Sequence, residues 1–211
     1  MKKLVLIGSK EFASQIREFA EETRNYVVVG YLDDYEEVGT QVQGLPVLGS
    51  RRDALELYSK GVFDCLFLAA GYKNFKFREE AFSELKGKIP FANIISKSAY
   101  IAPNCILGEG IFIGAGSNIC SNTVIEDNVF IHGYTFLAHD NHIGAHSYLS
   151  GRLNTAGFVT LGKRNFAGIC SMYSDHVKTA DDVWVGLGCI IIRNIKESGK
   201  YMVNPKLIKI E

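Results

Sequence analysis

From residue 95 onward, one position in every six belongs to the branched aliphatics, and no other feature restricts the folding of this chain as tightly. The series runs Ile95, Ile101, Leu107, Ile113, Ile119, Ile125, Ile131, Leu137, Ile143 and Leu149. It continues through Thr155, Leu161, Ala167, Tyr173, Thr179, Val185, Ile191, Glu197 and Val203, so Ile, Leu or Val holds 14 of 19 positions. The next residue is repeatedly small, as at Gly108, Gly114, Gly144, Gly162, Gly168 and Gly186. Such a period describes a coil of six-residue sides, three to a turn, in which roughly 18 residues make one rung. Each aliphatic points inward and stacks on its equivalent one turn later, as Ile113, Ile131 and Leu149 would. A β-sandwich also has short strands and turns, but its strands vary in length, and this register of six runs unbroken. The expected fold for 95–211 is therefore a left-handed parallel β-helix of about six rungs, with the small residues at its corners. The turn at Asn204-Pro205 and the tail from Lys206 would close its open end.

Residues 1–94 follow another rule. Short β-rich runs at Lys3 to Ile7, Tyr26 to Leu32 and Cys65 to Ala70 alternate with helical spacing at Phe12 to Phe19, Arg51 to Lys60 and Phe75 to Lys86. Strands separated by helices imply right-handed crossovers and a parallel sheet. The wholly apolar third run suits a strand buried on both faces. This half reads as a Rossmann-like α/β domain.

Charge narrows the partners. Lys plus Arg and Asp plus Glu are both 23, and the halves divided at residue 94 hold 13 basic with 14 acidic and 10 basic with 9 acidic residues. Neither half has the basic excess of a nucleic-acid binder. The first apolar run, Leu4 to Ile7, is too short for a secretory h-region or a membrane span, so no membrane insertion is expected. Five widely spaced cysteines without a Cys-x-x-Cys pair read as reduced, mostly buried residues of a cytoplasmic protein.

The combination resembles the bacterial acyltransferases of nucleotide-linked sugars, a group that includes sialic acid O-acetyltransferases and N-acetyltransferases of nucleotide-linked 4-amino sugars. The first half carries the resemblance in Tyr31-Leu32-Asp33-Asp34, in Gly44-Leu45-Pro46-Val47-Leu48-Gly49, and in Ala70-Gly71-Tyr72-Lys73-Asn74 followed by Arg78. The coil carries it in His139-Asp140-Asn141-His142-Ile143-Gly144, in Ala156-Gly157-Phe158-Val159-Thr160-Leu161-Gly162, and in Ala180-Asp181-Asp182 leading into Gly186. The resemblance implies acetyl transfer from acetyl-CoA to a sugar amine or hydroxyl, for surface glycan synthesis, by a homotrimer with its sites between neighbouring coils. His139 matches the catalytic base and Asp140 its acidic neighbour. Gly157, Gly168, Ile169, Gly186 and Leu187 fall where acyl-CoA is held, with Lys206 among the basic candidates for its anionic end. Gly8, Lys10, Asp33 and Asp34 fall where the nucleotide of the acceptor sits.

The sequence departs from that family twice. The usual glycine-rich first loop is here Gly8-Ser9-Lys10-Glu11-Phe12-Ala13, where Lys10 would supply charge in place of close backbone approach to a phosphate. The second histidine that many members carry nine residues after the base is Tyr148, so Tyr148 or the nearby His146 would substitute.

The chemistry asked of His139 is proton removal from an amine or hydroxyl, and imidazole titrates near neutrality. A carboxylate on its other ring nitrogen would fix the tautomer. Adjacent strand residues point to opposite faces, so His139 and Asp140 cooperate only at a corner, and the third place of its hexad puts His139 near one. His139, His142 and His146 suggest a metal by spacing, but on a period of six they need not converge, so no metal is expected. Two other readings stand beside the acetyltransferase: a metal hydro-lyase of the carbonic anhydrase kind, and a non-catalytic sugar-nucleotide-binding scaffold. His132 and His176 read as surface residues, and Trp184 as packed outside the coil.

Overall fold

The computed structural model describes residues 1–73 and 75–203. The Asn204-Pro205 turn, the capping tail and Lys206 lie outside the described residues.

The first half opens with β1 (Lys2–Ile7), α1 (Glu11–Glu22) and β2 (Tyr26–Leu32), followed by β3 (Gln41–Val42) and β4 (Leu45–Gly49). It closes with α2 (Ala54–Ser59), β5 (Cys65–Leu68) and α3 (Phe75–Leu85). The sheet runs β3-β4-β2-β1-β5, parallel except where β3 turns back on β4. No strand signal marks the Gly44 to Gly49 stretch, because Pro46 and two glycines mask its short apolar core. The helical spacing over Arg51 to Lys60 resolves into a 3-10 turn at Arg51–Asp53 followed by α2. Alternation along β1 divides the core: Leu4 and Leu6 face α1 and the coil, while Val5 and Ile7 face α2 and α3.

The left-handed parallel β-helix follows, as two-residue strands linked by turns. Its first face stacks Ile94–Ile95, Phe112–Ile113, Phe130–Ile131, Tyr148–Leu149, Phe166–Ala167, Val183–Val185 and Gly199–Tyr201. The second stacks Tyr100–Ile101, Asn118–Ile119, Phe136–Leu137, Asn154–Thr155, Met172–Tyr173 and Ile190–Ile191, and the third runs from Ile106–Leu107 to Thr160–Leu161. The aliphatic series points inward from Ile113 through Val185. A second inward row lies two residues before it, and its polar members bond backbone carbonyls three residues short of a full turn. Ser117 Oγ donates to His132 O, Thr123 Oγ1 to Ala138 O and Ser147 Oγ to Gly162 O, each at 3.1 Å.

Two details of the period differ from expectation. The small residue after each aliphatic is not the turn itself. It is small because the next rung lies against it: a Cβ on Gly162 would come within 2.4 Å of Ala180 O, and one on Gly168 within 2.4 Å of the Gly186 carbonyl carbon. The turn is made two residues later, where Asn122, Asn128, Tyr134, Asp140, His146, Arg152, Phe158, Arg164, Cys170, His176 and Asp182 all adopt left-handed φ between 53° and 64°. The register also slips at the end. Val183 pairs with Gly199 and Thr179 with Ile195, two residues short of a full rung, so Ile195 takes the inward place and Glu197 stays exposed.

The first half covers the coil's first face. Outward residues of that face form a stacked ladder: Phe112 on Phe130 at 5.4 Å, Phe130 on Tyr148 at 5.8 Å, Tyr148 on Phe166 at 5.8 Å, and Phe166 on Trp184 at 3.9 Å. Phe12 and Phe19 of α1 and Tyr72 close over it, each pair adding about 0.5–1.5 kcal/mol beyond the buried area. Trp184 is thus outside the coil, as expected, with its ring turned to Tyr72 and Phe75 of the first half.

Candidate active site

His139 and Asp140 lie in the turn between the second and third faces. The left-handed conformation of Asp140, φ 58°, folds its side chain back toward its neighbour, and His139 Nδ1 stands 2.8 Å from Asp140 Oδ2. Asn122, one rung earlier, donates to Asp140 Oδ1 at 3.1 Å and is itself bonded by Asn104. The hydrogen bonds from His139 and then from Asn122 hold the Asp140 carboxyl below the usual carboxylate range. With Nδ1 committed as donor to a carboxylate, Nε2 is left as the acceptor. The ring meets the edge of Phe158 at 5.2 Å, and Phe158 stacks on His176 at 4.7 Å.

Gly157 sits one rung beyond His139, and its missing side chain makes room for the imidazole. A Cβ there would lie 2.8 Å from His139 Cε1 and 3.0 Å from Nε2. Gly157 therefore belongs to the histidine's edge, while Gly168, Ile169, Gly186 and Leu187 belong to another. Those four line a cleft of about 480 Å³ at the edge between the first and second faces, together with His132, Tyr148, Trp184 and Met202. Within one chain, the base shares its edge with Gly157, while the other described residues matched to acyl-CoA occupy a different edge of the prism.

A third feature lies at the C-terminal ends of β1, β2 and β5, where the sheet order reverses and open α/β sheets bind ligands. Gly8, Lys10, Asp33, Asp34, Tyr35, Ala70 and Gly71 line a cleft of about 230 Å³ there. Gly8 turns with φ 99° beside Ala69 O, a conformation open to glycine. Of the acidic pair, Asp33 is buried and Asp34 exposed, and both accept backbone N–H groups. Asp33 Oδ2 accepts the Ser9 N–H at 3.0 Å and the Ser9 hydroxyl at 2.6 Å, and Oδ1 accepts the Tyr35 N–H at 3.0 Å. Asp34 Oδ1 accepts the Arg51 N–H at 2.8 Å. Lys10 reaches over the cleft and pairs with Glu36. Asp33 thus holds the altered glycine loop in shape.

With this geometry in view, the chain can be set beside known proteins. Residues 3–85 match the family model described as the PglD N-terminal domain. A crystal structure of a His-to-Asn variant of perosamine N-acetyltransferase from Caulobacter crescentus, in complex with CoA and GDP-perosamine, superposes with a TM-score of 0.88. It is 26% identical, and the match covers 100% of this chain and 98% of that one. The chain resembles the hexapeptide-repeat sugar acyltransferases over its whole length. The acetyltransferase domain of PglB from Neisseria gonorrhoeae, in complex with acetyl coenzyme A, has the same fold at a TM-score of 0.86 and 23% identity, covering 97% of each chain. Among curated proteins, UDP-3-O-acylglucosamine N-acyltransferase from Herminiimonas arsenicoxydans is 35% identical over 99 residues. That match spans 45% of this chain and 28% of the relative.

Against the pattern of these sugar acyltransferases, several side chains stand elsewhere than the sequence suggested. His146 does not reach a site: it is buried beside Asn128 Nδ2 at 3.0 Å and against Phe82, and burial pushes its pKa down to about 4. Tyr148 is held in the aromatic ladder, burial raising its phenol to about 12, with one side toward the 480 Å³ cleft. His132 is not on the open surface. It lies in the seam, 4.9 Å from the Tyr148 ring, with Nε2 buried and its pKa lowered to about 4 by burial. Arg78 is fully buried, its guanidinium donating to Ala70 O at 2.6 Å and Asn128 O at 2.7 Å over the Phe130 ring, and burial lowers its pKa to about 9. Among the described residues no group of three or more His, Cys, Asp or Glu is placed to hold a metal, and no helix is long and apolar enough to cross a membrane. Of the five free cysteines only Cys65 and Cys189 are buried, and Cys170 is exposed.

Proposed function

We propose that this protein is an acetyl-CoA-dependent acetyltransferase acting on a nucleotide-linked sugar, with His139 as general base. The observation that carries the reading is the 2.8 Å pair of His139 Nδ1 with Asp140 Oδ2 on an open edge of the coil. The whole-chain likeness to a protein solved with CoA and GDP-perosamine supports the choice of donor and acceptor.

In this reading Nε2 of His139 takes the proton of the attacking amine or hydroxyl as that atom bonds the thioester carbon. The resulting imidazolium is stabilised by Asp140, and its proton passes to the sulfur as the C–S bond breaks. The pantetheine arm lies along Gly168, Ile169, Gly186 and Leu187, where backbone is open to its amides, and Tyr148 flanks the acceptor. The nucleotide occupies the cleft of Gly8, Lys10 and the Asp33-Asp34 loop, beside the N-terminus of α1, whose free N–H groups favour a phosphate.

Because the two edges are separate in one chain, the site is completed by a neighbour, and a closed homotrimer supplies that geometry. The outward column of the second face exposes Tyr100, Phe136, Met172 and Ile190, with Asn118 and Asn154 between them, which suits such contact. In this reading the protein works in the cytoplasm, where its activated sugar would be made. The halves divide the labour at about residue 94, the first holding nucleotide and the second performing transfer. The test is thiol release from acetyl-CoA with a panel of nucleotide-linked amino and hydroxy sugars, with product masses recorded. Turnover by the wild type, lost in His139→Ala, is expected. Full activity of that variant would remove His139 from the base role.

A further inference from the structure

The edge that carries His139 bears a second acid and imidazole two rungs further on, in reverse order. Ser121, His139, Gly157 and Asp175 fall in one column, and Asn122, Asp140, Phe158 and His176 in the next. Asp175 Oδ2 pairs with His176 Nε2 at 3.2 Å, as Asp140 Oδ2 pairs with His139 Nδ1 at 2.8 Å. Each pair turns one polar atom toward the gap over Gly157. The Cβ position there is 3.0 Å from His139 Nε2 and 3.3 Å from Asp175 Oδ1. We infer that the attacking group of the acceptor binds just outside Gly157, within reach of both His139 Nε2 and Asp175 Oδ1, and that Asp175 selects an amine over a hydroxyl there. This rests on the acetyl-transfer reading above and sharpens its acceptor.

His139 Nε2 is an acceptor once Nδ1 donates to Asp140, and an ionised carboxylate only accepts. The two acceptors flank the same glycine. A hydroxyl has one hydrogen and leaves one of them unmatched, whereas an ammonium has three. The stoichiometry agrees. An amine arriving as R–NH3+ ends as an amide with one N–H, so it sheds two protons. One passes through His139 Nε2 to the departing sulfur as the C–N bond forms and the C–S bond breaks. The other leaves by way of Asp175 Oδ1 to solvent. A hydroxyl acceptor has a single proton to lose and gives a second base nothing to do. The carboxylate also favours the cationic form of the acceptor, the form an alkyl amine takes near neutral pH.

Asp175→Asn tests this, because the amide keeps the shape and removes the charge and one acceptor. Rates of thiol release are measured for wild type and variant with GDP-, UDP- and TDP-linked 4-amino sugars and with the counterparts bearing a hydroxyl at that carbon. Turnover by the wild type is expected with amino members only. In Asp175→Asn, KM for the amino sugar is expected to rise roughly ten-fold to a hundred-fold, the range of a hydrogen bond to a charged group, with kcat changed less and the melting temperature kept. Wild-type turnover of hydroxy members at comparable kcat/KM, or a KM within two-fold of wild type in the variant, would overturn the inference alone. Absence of turnover with every member would overturn the acetyl-transfer reading on which it rests.

Discussion

Replacing Gly157 with alanine should give a protein that is folded and inactive. The added Cβ would sit 2.8 Å from His139 Cε1, where carbon atoms ordinarily keep about 3.6 Å, so the ring must retreat by about 0.8 Å. Backbone relief is blocked, because Phe158 N and His176 N on either side of the rung are tied to His139 O and Gly157 O at 3.1 and 3.0 Å. The imidazole is the part that moves, and in moving it strains its bond to Asp140. A displacement of this size in a reacting group costs about 10²-fold in rate, or roughly 2.7 kcal/mol of barrier. Gly157 has no positive φ, so alanine fits its backbone and gains about 0.4–1 kcal/mol from a less flexible unfolded chain. The assay pairs steady-state thiol release with thermal melting. A kcat lowered about 100-fold with an unchanged or slightly raised Tm is expected. Activity within two-fold of wild type would show that nothing near the His139 ring needs that space, and the geometric account of the base would fail.

Other outcomes follow from the same contacts. Asp140→Asn removes the carboxylate on His139 Nδ1 and should lower kcat by roughly 10²–10⁴ with KM for acetyl-CoA nearly unchanged, read by the same kinetics. Arg78→Met leaves Ala70 O, Asn128 O and Asn128 Oδ1 without their donor between the two halves, and should cost about 1–3 kcal/mol in chemical denaturation. Burial holds His132 and His146 down to about 4, so the unfolded chain binds protons there that the native chain refuses. Stability should therefore be complete above about pH 6.5 and fall as pH drops toward 4, by roughly 3 kcal/mol per histidine. Denaturation midpoints across that range would show it, and His132→Phe should flatten the curve by about half.

The coil was legible because its rule is local. One aliphatic in six survives any loop content, and the inward stack from Ile113 to Val185 is what that rule demands. The rule failed at Ile195, where two residues drop out of the last rung, since Val203 two places beyond Tyr201 kept the count in apparent phase. The turn was misplaced for a physical reason. Gly162 and Gly168 are small to admit the next rung, while the left-handed residues include Tyr134, Phe158 and Arg164, types that no propensity assigns to a turn. His139 and Asp140 were visible because a corner lets neighbours in sequence meet. Asp175 was not, although writing the coil in rows of 18 sets it in the His139 column. The burial of His132, His146 and Arg78 depends on where the first half docks, and no spacing in the coil encodes that.

A crystal structure with CoA bound would show whether two copies build one site. Pantetheine is expected along Gly168 and Gly186 of one copy, with its sulfur beside Nε2 of His139 from the neighbouring copy. CoA seated away from His139 of every copy, or reaching His139 without a second chain, would contradict it.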